Sequence, residues 1–260
     1  MDERLIIEWK AAIIAGFFLL IFLFERYLPA AKRPFSWTRH DGMRIMRNLG
    51  FGGLNAVLAP LIILPVSAFA VMHHLGLRPE TWQGGWFILI DILILDLLIY
   101  GWHRANHQIE FLWRFHQVHH LDRFLDTTSA VRFHFGEVIL SALMRIPILM
   151  LFDISFTSVV IYETVLFTSA IFQHSNLALP IKLERWLNWI LVTPRWHWMH
   201  HHRIQRDTDS HYGNLLTLWD RIFCSLASGE RRLDMPIGLA GSKGDAGFLE
   251  LLKLPFKRQR

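Results

Sequence analysis

The sequence predicts an all-α protein: a polytopic membrane bundle of four to five apolar segments under a histidine-rich helical cap on the cytoplasmic side. Three observations lead there. Of the 260 residues, 52% are hydrophobic, more than the roughly 45–50% of ordinary soluble domains. The apolar residues fall in long runs, with basic residues gathered between some of them, the pattern that marks the cytoplasmic side of a membrane protein. Twelve of the 15 histidines lie between His103 and His211, many spaced three or four apart, which stacks side chains on one helix face.

The first run is residues 11–24, AAIIAGFFLLIFLF. Ile6, Ile7 and Trp9 extend it, and Lys10 can snorkel to the interface. Asp2, Glu3 and Glu8 are unlike the basic start of a secretory leader, so the run is expected to remain as an anchor. The second run is 49–72, interrupted by Asn55, Ser67, Pro60 and Pro65; membrane helices tolerate proline where neighbours satisfy the backbone. The third, 86–102, carries Asp91 and Asp96, which should face the protein interior and pair there or support function. Runs 138–151 and 154–173 are separated by little more than Asp153 and read as a helical hairpin. WLNWILV at 186–192 is too short to span and suits an interfacial helix. Trp9, Trp86 and Trp102 flank apolar runs, where tryptophan anchors at the interface.

Charge orients this layout. Segment 25–48 holds Arg26, Lys32, Arg33, Arg39, Arg44 and Arg47; segment 73–85 holds only Arg78. Segment 103–136 has Arg104, Arg114, Arg123 and Arg132, and the chain after His174 is basic through its final KRQR. The expected arrangement is an outside N-terminus, five crossings and an inside C-terminus, with every histidine cluster at the cytoplasmic face. Three regions follow: 1–85 as anchor helices, 86–225 as the metal-bearing domain, and 226–260 as a basic tail. The net charge of +5 comes without a recognition motif, so nucleic acid is not an expected partner.

The one cysteine, Cys224, excludes a disulfide framework and a cysteine-based zinc or iron–sulfur site. The histidines form HRANH (His103, His107), HQVHH (His116, His119, His120) and HWMHH (His197, His200, His201). Eight or nine imidazoles from several segments suggest two metal ions. Imidazole suits iron, zinc and copper alike, so ligand type leaves the metal open. Glu110, Asp122, Asp126, Glu137, Asp207 and Asp209 are too scattered for the glutamate-rich pattern of soluble di-iron bundles. His40, His73 and His74 stand outside the clusters.

H-x3-H followed by two H-x2-HH words resembles the histidine signature of the fatty acid hydroxylase/sterol desaturase superfamily. YGWHRANH, FLWRFHQVHH, VRFHFGE, FQHSN, TPRWHWMHHHR and DTDSHYGNLLTLWDRIF resemble its blocks, over roughly residues 90–224. The resemblance implies that His103, His107, His116, His119, His120, His174, His197, His200 and His201 bind two iron ions, with zinc as a possible substitute, and that no further residue is needed as a catalyst. It implies O2-dependent hydroxylation or desaturation of C–H bonds in a sterol-, fatty-acyl- or isoprenoid-like membrane lipid. Alkyl-ether cleavage and carotenoid hydroxylation are alternatives on the same centre.

By the same resemblance Asn176, Asn214 and Asp220 fit positions that orient ligands. Three histidines depart from or blur the pattern. His134 precedes Phe135 where the family usually has proline, and is left as a ligand or a residue orienting one. His211 stands where the family often has asparagine. His202 offers an alternative register, 201/202 in place of 200/201. No G-x-G-x-x-G lies between a strand and a helix, and no His-Pro-Gly-Gly haem word is present. Electrons are therefore expected from a separate protein, an acidic carrier being steered to the basic face. A reading from another class, a metal carrier or sensor, would need polar residues along a path through the membrane.

Overall fold

The computed structural model describes residues 3–33, 39–82, 85–241 and 246–257. Among them there is no β-strand, only three isolated bridges. Helix α1 is Glu3–Tyr27 and α2 is Arg39–Leu58. A π-helical segment, Ala59–Ile63, joins α2 to α3 (Leu64–Met72) in one continuous helix; Pro60 and Pro65, the second residues of the two pieces, supply no backbone N–H to the α-helical ladder, and the π turns lie where Pro60 interrupts it. There follow α4 (Phe87–Gln108), α5 (Glu110–His120), a 3-10 turn at Thr127–Val131, α6 (Phe135–Leu151) and α7 (Phe156–His174). Short helices complete the chain: α8 (Ile181–Leu187), α9 (Pro194–His200), α10 (Gln205–Thr208), α11 (Leu218–Ile222) and α12 (Phe248–Lys253).

The long helices alternate in direction. The C-terminal ends of α1 and α7 meet, where Ala31 N donates to Asn176 Oδ1 at 2.8 Å. The start of α2 lies at that same end, with Arg44 and Asn48 bonded to Asp122. At the other end Leu75 N donates to Met150 O at 2.8 Å and Arg78 Nη1 to Asp153 O at 2.7 Å. The flanks present apolar side chains outward, among them Leu20, Leu61, Phe69, Leu89 and Leu93.

Asp41–Met72 and Phe156–His174 are long and apolar enough to cross a bilayer by length and composition. Two such helices among the described residues are fewer than the four to five apolar segments expected. Lys10, Glu25 and Arg26 interrupt α1, Asp91, Asp96 and Arg104 interrupt α4, and α6 has 17 residues including Arg145. Asp91 accepts from Arg78 Nη2 at 2.8 Å and Ser158 Oγ at 2.6 Å. Asp96 accepts from Trp219 Nε1 at 2.8 Å and Leu216 N at 3.2 Å, which ties α4 to the segment before α11. Both aspartates are thus paired inside the protein.

Other boundaries shift from expectation. The second apolar run belongs to a helix that begins ten residues earlier, because Asp41, Arg44 and Asn48 fall on one face and bury there. The expected hairpin is splayed: α6 packs chiefly on α3 and α7 on α1, while Arg145 Nη1 bridges the pair by donating to Glu163 at 2.7 Å. Lys10 from α1 reaches the same carboxylate. Around 186–192 the helix lies earlier, at Ile181–Leu187, and the chain then turns to bond Val192 N to Leu215 O. The stretch expected as a basic tail folds back, burying Leu251 against Phe51 and Val118. The side chain of His40 and residues Arg258–Arg260 lie outside the described residues.

A buried ionic network closes the histidine end. Arg44 Nη1 donates to Asp122 Oδ2 at 3.0 Å and Arg44 Nη2 to Asp126; Arg33 Nη2 donates to Asp126 at 3.0 Å. Burial alone would raise both carboxyls. Arg44 and Arg132 outweigh it at Asp122, and Arg44, Thr128 and Arg33 at Asp126, so both are held below the usual range. Removing one member of such a network strands buried charge, which costs about 3–5 kcal/mol. Arg44→Met is therefore expected to lower the thermal unfolding midpoint of the detergent-solubilised protein strongly; an unchanged midpoint would show that the network does not hold this end together.

Candidate metal centre

Three helices and one helix end aim imidazoles at one volume. Helix α4 runs past its apolar stretch to carry His103 and His107, one turn apart. Ile109 adopts an extended conformation, φ −103° and ψ 112°, and redirects the chain into α5, which presents His116, His119 and His120. His174 closes α7. Pro194 starts α9, which supplies His197 and His200, with His201 at its C-cap.

The nine histidines named from the sequence fall into two groups. One is His103, His107, His116, His120 and His200; the other is His119, His174, His197 and His201. Within each group one ring nitrogen per residue lies within 4.8 Å of all the others. His134, His202 and His211 belong to neither.

The nitrogen geometry fits a metal. Nε2 atoms face each other at 3.1 Å (His116–His120), 3.0 Å (His119–His174), 2.9 Å (His174–His197) and 3.1 Å (His197–His201). Metal–nitrogen bonds of about 2.1 Å at right angles place their nitrogens about 3.0 Å apart. Buried ring nitrogens without a partner include Nε2 of His107 and His200. Burial first, and neighbouring imidazoles second, push His119, His120, His197 and His201 well below the usual histidine range; for His200 burial leads, followed by His103 and His107. Neutral imidazole is the form that binds a metal.

Outer nitrogens are fixed by the fold. Nδ1–H of His103 donates to Tyr212 O at 2.9 Å, that of His200 to Ser210 O at 2.7 Å, and that of His174 to Ala170 O at 2.7 Å. His116 donates to Glu137 Oε1 at 2.8 Å and His107 to Asp209 Oδ1 at 3.3 Å. Each bond selects the tautomer that turns the Nε2 lone pair inward. The sequence left Glu137 and Asp209 among scattered carboxylates, because the pairs are 21 and 102 residues apart in the chain.

Of the three residues expected to orient ligands, Asn214 lies beside one. Its Nδ2 is 3.4 Å from His103 Nδ1 and donates to Tyr212 O at 3.1 Å. Asp220 acts at one remove, accepting from Tyr212 N and Gly213 N, both at 2.9 Å, and so holding the carbonyl that holds His103. A Cβ on Gly213 would lie 2.7 Å from Asp220 Oδ2 and 2.8 Å from Leu216 O, so no larger residue fits that turn. Asn176 is a correction. Its side chain hydrogen-bonds no histidine of either group and instead braces the chain after α1, exchanging both side-chain bonds with Ala31.

The three unsettled histidines take structural places. His134 caps α6, accepting from Gly136 N at 3.0 Å, and its Nε2 bonds Leu252 O at 3.1 Å, which docks the C-terminal segment. His202 Nδ1 bonds Asp207 Oδ2 at 2.7 Å. His211 has φ 51°, in the left-handed region that asparagine, aspartate and histidine tolerate best. That backbone conformation, rather than a metal, accounts for a histidine at this position.

Residues 87–225 match the model of a family described as fatty acid hydroxylase. The chain is similar to ornithine lipid hydroxylase OlsE of Rhizobium tropici, 28% identical over 96% of this chain and 76% of that protein. It is similar to alkylglycerol monooxygenase of Danio rerio, 30% identical over 86% of this chain and 51% of that protein. It also resembles fatty acid hydroxylase vlmA of Lecanicillium sp, 24% identical over 88% of this chain and 65% of that protein. The chain therefore spans about half the length of the zebrafish protein. No solved structure matches it significantly.

Two predictions follow from these placements. His211→Asn is expected to keep stability and metal content, whereas His211→Val, β-branched at positive φ, should lower the unfolding midpoint; equal midpoints would contradict the backbone role. For the metal-free chain, the five depressed imidazoles stay unprotonated when folded but take up protons near pH 6.5 when unfolded. Their contribution to stability is full above pH 6.5 and is lost as pH falls below it. Asp220, which burial lifts to about 6, opposes this. Thermal unfolding should therefore move down between pH 7 and pH 5, and an upward move would refute the argument.

Proposed function

The chain belongs to the fatty acid hydroxylase family, and from that premise we propose that it is a membrane-bound, O2-dependent oxidoreductase that hydroxylates or desaturates a lipid C–H bond. The observation that carries this reading is the convergence of nine buried histidines into two adjacent groups. His103, His107, His116, His120 and His200 would hold one iron ion, and His119, His174, His197 and His201 the other. Bound there, the ions supply the activation of O2 and the oxidation of an unactivated C–H bond; zinc has the same ligand preference and is a possible substitute.

The protein's own part is to hold, orient and exclude. Tyr212, Ser210 and Ala170 carbonyls, with Glu137 and Asp209, keep ligand lone pairs pointed inward. Eight of the nine histidines are buried and the side chain of the ninth, His107, is fully enclosed, so bulk water is kept from the centre. The outward apolar flanks of α3 and α4 give a hydrophobic substrate a surface continuous with the bilayer.

The arrangement of the bundle supports a topology. The histidine end carries Arg26, Arg33, Arg44 and Arg47, while the opposite turn at 73–82 carries Arg78. We place the histidine end in the cytoplasm by this asymmetry, with α1, α2–α3, α4, α6 and α7 crossing in alternating directions. Electrons would then come from a separate cytosolic carrier.

A second reading, cleavage of an alkyl-ether lipid by hydroxylation beside the ether oxygen, draws support from the alkylglycerol monooxygenases among the similar proteins. The carrier or sensor reading is disfavoured, because the nine histidines sit together at one end and Asp91 and Asp96 are already paired. The test is O2 consumption by the purified protein with reductant, comparing ornithine lipid and alkylglycerol. His119→Ala is expected to lose metal and at least 100-fold of lipid-dependent uptake. Full uptake in that variant would refute the site, and no lipid-dependent uptake in the metal-loaded wild type would refute the activity.

A further inference from the structure

We propose that Glu137 and Asp209 make the two metal positions unequal, so that the five-histidine group holds its ion more tightly than the four-histidine group. This rests on the two-ion reading above and adds an order of filling to it. The inequality is in what stands behind the rings. In the five-histidine group two imidazoles are backed by carboxylates, His116 by Glu137 and His107 by Asp209, and two by backbone carbonyls. In the four-histidine group His174 has a carbonyl, while Nδ1 of His119, His197 and His201 is buried without a partner. No carboxylate contacts a ring of that group among the described residues.

A carboxylate accepting the outer N–H draws the proton toward itself and makes the inner nitrogen a stronger donor. Two carboxylates also add negative charge beside a dication in a buried volume, where the attraction is poorly screened. The first effect acts on the five-histidine position only, and the second acts there most directly, because the carboxylates nearest the other group, Asp122 and Asp126, bond no ring and are paired with Arg44.

The two carboxylates should also differ from each other. Glu137 is 7% exposed and lies 2.8 Å from its histidine. A second contact, from Asn106 Nδ2 at 3.3 Å, fixes it further. Asp209 is 39% exposed and 3.3 Å away, so water screens it and its effect should be smaller. Glu137 Oε2 is buried with no hydrogen-bond partner of its own, so the hydrogen bonds of this carboxylate run through Oε1 to His116 and Asn106. Glu137 and Asp209 are thus positioning residues, acting on the ions through imidazole.

The test is anaerobic titration of the metal-free, detergent-solubilised full chain with Fe(II), read by calorimetry and by Mössbauer spectra at each step. The wild type is expected to bind two equivalents in sequence, with one quadrupole doublet filled before the second appears. Glu137→Gln keeps an acceptor for His116 but removes the charge; it should weaken the tighter equivalent by about 10–100-fold and leave the other unchanged. Asp209→Asn, at an exposed position where misfolding is not at issue, should weaken the same equivalent by less than about tenfold. Two doublets growing together in the wild type, or variants that weaken both equivalents alike or neither, would overturn the proposal while leaving two bound ions. A wild-type chain that binds one ion or none would instead overturn the two-ion reading and this proposal with it.

Discussion

Everything in this structure is arranged around the packing of nine neutral imidazoles into one buried volume. Bare, such a cluster is unfavourable. Buried nitrogens without partners, such as those of His107 and His200, lose their hydration and gain nothing for it. Nε2 atoms at 2.9–3.1 Å from each other are close unless a proton or a cation lies between them. A metal ion held by each group would resolve that conflict, and the rest of the fold keeps the rings in place for it.

The means of holding them differ with distance from the centre. At the rings, carbonyls of residues 170, 210 and 212 and the carboxylates of Glu137 and Asp209 fix the tautomers. One layer out, Asp220 gathers the 212–213 backbone and Asp96 ties that region to α4 through Trp219 and Leu216. Further out, Arg44 and Asn48 on α2 clamp the chain just after His120 through Asp122, and Glu25 on α1 accepts from both Thr127 and Asn176. The histidine-bearing helices are therefore locked to the apolar helices by charge and hydrogen bonding, a polar seam at the end of a bundle whose flanks are apolar.

This division explains what the sequence could and could not tell. Histidine spacing is a local signal: rings three and four apart share a face whatever surrounds them, so eight of the nine that the fold gathers can be picked out by spacing, while His174 stands alone in the chain and is reached only through the family resemblance. Helical class is equally local, since long apolar runs leave little else. Long-range polar pairing has no such signature. Arg44 and Asp122 are 78 residues apart, and in the sequence Arg44 is one more basic residue of a loop, whereas it lies in the second turn of α2. Asn176 illustrates the reverse error. Its motif places it near the centre in sequence, yet its side chain serves the turn after α1. His134 and His211 were ambiguous because a cap and a left-handed backbone both use side chains that also bind metal. The C-terminal segment looked like a tail because the six residues of α12 give too short a pattern to show that Leu251 is buried.

The central claim is that the histidines hold two metal ions, and metal analysis with X-ray absorption on the purified wild-type chain tests it most directly. The account predicts two iron ions per chain, with an absorption spectrum dominated by imidazole nitrogen at about 2.1 Å and no sulfur scatterer. One ion or fewer per chain after reconstitution, or a coordination shell without histidine, would contradict it.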